Sequence, residues 1–166
     1  DYEVNDTIPE TDIESYFVWI PRYRYELFAP ENYNIIIDSK STESMTKTIN
    51  IVFESKGTSI SDGKDNWLTH PAFTAFDTNG IWVGKFELSH ITKTNSLGCT
   101  TETCSESNNL RIIPNKSSLR SNTVSSFFYA IKSMSKNENT FGIDNTIIDT
   151  HMMKNSEWGA VAYLSQ

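Results

Sequence analysis

Basic residues are scarce in this chain. Fourteen Lys plus Arg stand against 21 Asp plus Glu in 166 residues, a formal charge of −7. Proteins that track phosphates concentrate Lys and Arg on one face, so no nucleic-acid partner is expected. Long apolar runs are missing as well: none approaches the roughly 18 residues needed to span a bilayer. The opening DYEVNDTIPETDIE has neither the basic nor the apolar region of a signal peptide. Seven Gly and five Pro are too few for a collagen-like or low-complexity chain, and two Cys are too few for a disulfide-dense scaffold. The strong local catalytic signatures (G-x-S-x-G, the P-loop, H-E-x-x-H and the dinucleotide fingerprint) are absent. We expect no enzyme activity, no cofactor and no metal. What is present is a 37% hydrophobic and 12% aromatic composition, too high for wholesale disorder.

The length fits one domain, and the pattern divides it into an arm and a body. Residues 1–15 are polar, acidic and aperiodic, and read as a mobile arm; residues 16–166 read as a single domain. In YFVWIPRYRYELF, Tyr23, Tyr25 and Leu27 alternate with Arg22, Arg24 and Glu26, which predicts a half-buried strand that Pro21 confines to an edge or bulge. Further strands are expected in NYNIIIDS, in KTINIVFES, with Ile49, Ile51 and Phe53 opposite Asn50, Val52 and Glu54, and in GIWVGKFELSH, where Gly84 marks a bulge or close approach. Val124, Phe127, Phe128, Ile131 and Met134 recur at helical spacing behind Ser121 or Asn122 as N-cap. A second helix is expected over MKNSEWGAVAYLSQ, with Trp158, Val161 and Ala162 on one face.

Few residues suggest chemistry. His70 sits in THPAF, a setting more typical of a structural imidazole in a turn than of a base, and His151 beside Asp149 is assigned a structural role as well. Asp62, Asp65 and Asn66 lack the calcium-loop pattern and read as a solvated turn. Cys99 and Cys104 lie in the polar stretch NSLGCTTETCSESNN, where a disulfide is favoured over free thiols and over a metal site. The sharper feature is aromatic: Tyr16, Phe17, Trp19, Tyr23, Tyr25 and Phe28 interleave with Arg22 and Arg24. Such a run is either a core strand or a contact patch, since aromatic and Arg side chains dominate interface hot spots. Trp19, Arg22, Tyr23, Arg24 and Tyr25 are the candidate binding residues.

At Trp82, Gly84, Lys85, Phe86 and Glu87 the segment GIWVGKFELS resembles the F-W-[IM]-G-K-Y-E-V-T pattern of the formylglycine-generating-enzyme (sulfatase-modifying factor) family. Glu157 and Trp158 in MMKNSEWGAVAYLS are similar to that family's L-P-T-E-A-E-W-E-Y-A-A, and RIIPNKSSLRSNTVSSFFYAIKSM resembles the segment between. More closely, VWIPRYRYELF, HPAFTAFDTNGIWVGKFELS and DTHMMKNSEWGAVAYLSQ resemble secreted or surface proteins of low-GC bacteria and their phages, including pilin-like and tail proteins.

The resemblance implies an α+β, C-type-lectin-like fold with small antiparallel sheets and two helices. It places the domain at the cell surface, outside the cell or on a virion, which also suits the disulfide. The family's catalytic cysteines follow a D-M-x-G-N-V-W-E-W segment that this sequence lacks, so neither Cys99 nor Cys104 is carried over as catalytic and no formylglycine-generating activity is expected. By the same comparison the domain is incomplete at its C-terminus: Gln166 is not expected to be the natural end, and the Trp158 face is expected to lie open. The function this implies is non-catalytic recognition of a host or cell-surface protein or glycan by an adhesion module. The alternative is a self-assembling subunit of a pilus-like filament or phage tail.

Overall fold

The computed structural model describes residues 2–27, 49–57, 67–91, 109–136 and 139–165. Cys99, Cys104, Phe28, the NYNIIIDS segment and the Asp62–Asn66 turn lie outside them. The described chain is α+β. Its strands are β1 (Phe17–Pro21), β2 (Tyr23–Leu27), β3 (Ile49–Phe53), β4 (Leu68–Thr69), β5 (Gly80–Gly84), β6 (Ser89–His90) and β7 (Leu110–Arg111). Its α-helices are α1 (Pro71–Thr74), α2 (Val124–Ser133) and α3 (Asn155–Leu164). The sheets are small: β1 with β5, the order β3-β2-β4, and β6 with β7. The pairings of β2 with β3, β2 with β4 and β6 with β7 are antiparallel.

The chain divides into two compact units, each built from separate stretches of sequence. One comprises Asp1–Val18 and Val83–Met152, the other Trp19–Trp82 and Met153–Gln166.

In the first unit Leu110, Ile112, Leu119, Ala130 and Met134 form a buried cluster, against which Phe86, Leu88, Phe127, Phe141 and Ile143 pack. Thr123, rather than Ser121 or Asn122, caps α2: its hydroxyl accepts the Ser126 N–H at 3.2 Å. The stripe read from the sequence is met in part: Phe127 and Met134 join the core, but Val124 and Phe128 do not. The helix also buries Ser126, Ala130 and Ser133, while Val124 and Phe128 are exposed. Small side chains let its backbone approach the core closely, and the Ser133 hydroxyl is satisfied by the Ala130 carbonyl at 2.6 Å. The N-terminal arm is exposed throughout residues 2–12 but not without structure. It carries a 3-10 turn at Glu10–Asp12, and the Tyr2 hydroxyl donates to Asp12.

In the second unit the expected single strand over residues 16–28 breaks at Arg22, where β1 ends and β2 begins. Tyr23 and Phe73 are fully buried, with Ala72 and Ala160 beside them in the core. The Tyr23 hydroxyl donates to the Ala160 carbonyl of α3 at 2.8 Å. At the start of α3 the Glu157 carboxylate accepts the Lys154 N–H at 2.7 Å, an anion placed on the positive end of the helix dipole. Glu157 and Ala160 face inward, whereas Trp158 is 63% exposed.

Candidate functional site

Side chains alternate across a strand, so Arg22, Arg24 and Glu26 leave one side of β2 while Tyr23 and Tyr25 leave the other. The charged side is not the solvated face that its composition suggests. Glu54, the residue after β3, has a side chain only 2% exposed that holds both guanidinium groups: Arg22 Nε lies 3.0 Å from Oε1 and Arg24 Nε 3.6 Å from Oε2. The Thr69 hydroxyl donates to Oε1 at 2.7 Å. Arg22 also donates to the Phe73 and Thr78 carbonyls, and Arg24 to that of Trp67. Further along the row Glu26 accepts from the Asn50 amide at 3.2 Å through Oε2, while its buried Oε1 has no hydrogen bond among the described residues. Charges taken out of water persist only when paired and hydrogen-bonded, and this arrangement occupies both arginines in holding the sheet.

On the opposite side Tyr23 and Tyr25 enclose His70 with Phe73 and Tyr163, all four ring centroids lying 5.2–6.0 Å from the imidazole. His70 caps α1: its Nδ1 accepts the Ala72 N–H at 3.3 Å, with Pro71 at the first helical position. This is the structural imidazole expected of THPAF. Burial lowers its pKa from the ordinary 6.5, because the charged ring loses solvation. Burial also pushes the Tyr23 phenol far above its ordinary range, with smaller contributions from Tyr163 and Tyr25.

A pH dependence follows from the His70 shift. Below pH 6.5 the unfolded chain takes up a proton that the folded chain resists, so His70 lowers stability as pH falls through that value. Urea unfolding between pH 7.5 and 5 should show this loss. In His70→Asn, which keeps a capping acceptor, that component of the slope should vanish. An unchanged slope in the variant would contradict the assignment.

The five candidate binding residues therefore separate. Tyr23 is core, Tyr25 is half-buried against His70 and Tyr163, and Arg22 and Arg24 are engaged by Glu54. Trp19 alone presents a large apolar surface, at 40% exposure. It pairs with Trp82, 61% exposed, with ring centroids 5.1 Å apart and planes tilted by 53°. Sequence reasoning assigned Trp82 to a strand and missed this pairing. Gly80 supplies a clue in hindsight: a Cβ there would lie 2.6 Å from the Ile20 carbonyl oxygen and would strike the Trp19 ring, so glycine is what lets the indole lie over β5. Gly84, singled out from the sequence, is a milder close approach, 3.2 Å from the Phe86 carbonyl oxygen by the same measure.

In the first unit Asp149 bridges Lys132 Nζ and His151 Nδ1, each at 2.7 Å. The Lys132 hydrogen bond, foremost, and that of His151 hold the Asp149 carboxyl below its ordinary range against the opposing effect of burial. Thr150, next to the imidazole, donates its hydroxyl to the Ile131 carbonyl, and the Ser135 hydroxyl is bonded to Thr150. The trio thus ties the turn before α3 to α2, a structural arrangement. Among the described residues no group of three or more His, Cys, Asp or Glu side chains is placed to hold a metal ion, and no helix is long and apolar enough to cross a membrane. No protein-family model matches the chain, and comparison with curated proteins and with solved structures finds no match.

Proposed function

We propose that this chain is a non-catalytic recognition module, acting outside the cell, at a cell surface or on a virion, that binds a protein or glycan through the Trp19–Trp82 pair. The finer fold assignment, a C-type-lectin-like scaffold related to the formylglycine-generating family, belongs to the same proposal and rests on the sequence resemblance. The observation that carries the reading is the paired exposure of two indoles that the core does not use. Indole rings offer broad, rigid contact area at low entropic cost, which is why they recur as binding anchors. The alternative, a structural subunit of a pilus-like filament or phage tail, would use the same rings between copies of the chain.

The test applies the chain and its Trp19→Ala/Trp82→Ala variant to arrayed glycans and arrayed surface proteins. A bound target should be retained by the parent chain and lost by about tenfold or more in the variant, with circular dichroism unchanged. Equal retention by both would contradict the reading. Tryptophan-dependent self-association in sedimentation, without retention of any target, would favour assembly instead.

A further inference from the structure

Within the second unit, the strand stretches that carry the two indoles offer a narrow set of groups. Residues 19–21 of β1 are Trp, Ile and Pro, and residues 80–82 of β5 are Gly, Ile and Trp, so the indole N–H groups are the only polar side-chain atoms on either stretch. Neither Trp19 nor Trp82 donates to a protein acceptor among the described residues. Side chains alternate along a strand, which puts Pro21 on the side of Trp19 and Gly80 on the side of Trp82. The side-chain acceptors flanking these stretches are already committed. The Thr78 hydroxyl donates to the Gly80 carbonyl at 2.7 Å and accepts the Gly80 N–H at 3.3 Å. Asn79 Oδ1 accepts the Lys56 N–H at 2.7 Å, and Asp77 is paired with Lys56 Nζ at 2.7 Å. The indole platform therefore presents two hydrogen-bond donors, broad apolar rings and no charge of its own.

We propose that the occupant of this platform is a proline-rich segment of a protein partner in the polyproline II conformation, an inference that rests on the Trp19–Trp82 reading above and chooses protein over glycan. The warrant is electrostatic complementarity. Each proline carries a carbonyl acceptor and no N–H, so the segment meets two donors without bringing donors of its own that need acceptors. Its backbone makes no internal hydrogen bonds, which leaves the carbonyls available, and its rings pack on the indole faces. A sugar has hydroxyls that donate as well as accept, and an ordinary peptide has an N–H at every residue. Either ligand gives up hydrogen bonds to water that no side-chain acceptor of this platform replaces. The lack of charge likewise fits an uncharged segment better than an acidic or basic one. Because the polyproline II helix is ordered before it binds, docking costs it little entropy.

The test titrates the full, isotopically labelled chain with decaproline, with an alternating Gly-Ser decapeptide and with cellohexaose, following the indole Nε1–H signals. Decaproline should bind and shift Trp19 and Trp82 along one saturable curve, with the Gly-Ser peptide and the saccharide weaker by about tenfold or more. Trp82→Ala should weaken decaproline by about tenfold or more. Trp82→Phe keeps a ring and removes one donor, and should weaken it by about three- to tenfold, while backbone amide signals report an unchanged fold in both variants. Four results would overturn the assignment: no binding of decaproline, equal binding of the Gly-Ser peptide, cellohexaose binding as tightly through the same two signals, or parental affinity in Trp82→Phe. The recognition module itself stands after any of these if an arrayed target is still retained through Trp19 and Trp82, and falls if retention does not depend on them, so the two failures are distinguishable.

Discussion

Replacing Glu54 with Ala lowers the free energy of unfolding by about 3–5 kcal/mol, the cost of removing one partner from a buried ionic group. The carboxylate is 2% exposed and is the only anion within reach of Arg22 and Arg24 among the described residues, whose side chains are 11% and 16% exposed. Its loss leaves two guanidinium groups in a poorly solvated setting, and the Thr69 hydroxyl loses its acceptor. Glu54→Gln keeps the shape and one acceptor oxygen, so its effect should be smaller. Urea denaturation followed by circular dichroism checks both variants. A Glu54→Ala chain within about 0.5 kcal/mol of the parent would place that carboxylate in solvent and dissolve the charged row.

Leu110→Ala is the second large effect, about 2–5 kcal/mol, because Leu110 is fully buried among Ile112, Leu119, Ala130 and Met134 and its truncation leaves a cavity. Val124→Ala is its counterpart. Helical periodicity alone puts Val124 on the buried stripe of α2, but in the fold it is 74% exposed, so truncation should cost no more than about 0.5 kcal/mol. The pair of unfolding free energies reads out which face of α2 meets the core. A Val124 effect comparable to that of Leu110 would put Val124 in the core and reject its observed exposure.

The buried face of α2 shows where the sequence is legible and where it is not. The existence of α2 and α3 follows from spacing and composition, and the structure begins and ends them within a few residues of expectation. Their faces follow only in part: Phe127 and Met134 of the expected stripe meet the core, but a hydrophobic stripe counts large apolar side chains, and these helices also turn Ser126, Ala130, Ser133 and Ala160 inward and leave Val124 and Phe128 outside. Close packing rewards small residues where backbones approach, and no hydropathy scale ranks Ser133 above Phe128.

The strands fail in another way. Alternation in RYRYEL is real, but the polar side is buried because Glu54, thirty-two residues beyond Arg22, compensates it. Compensation at that distance leaves no local trace in the sequence. The aromatic run likewise contains both of its readings at once: Tyr23 is core, and Trp19 is surface. Which ring does which depends on Gly80 and Trp82, far along the chain.

The central claim is that Trp19 and Trp82 form the contact surface, and the indole N–H signals of the four tryptophans test it most directly. A target retained on the arrays is titrated into isotopically labelled chain while the Nε1–H resonances of Trp19, Trp67, Trp82 and Trp158 are followed, each assigned by substitution. The account predicts that Trp19 and Trp82 shift together along one saturable curve while Trp67 and Trp158 stay in place. Shifts confined to Trp158, or a bound target that moves neither Trp19 nor Trp82, would contradict it.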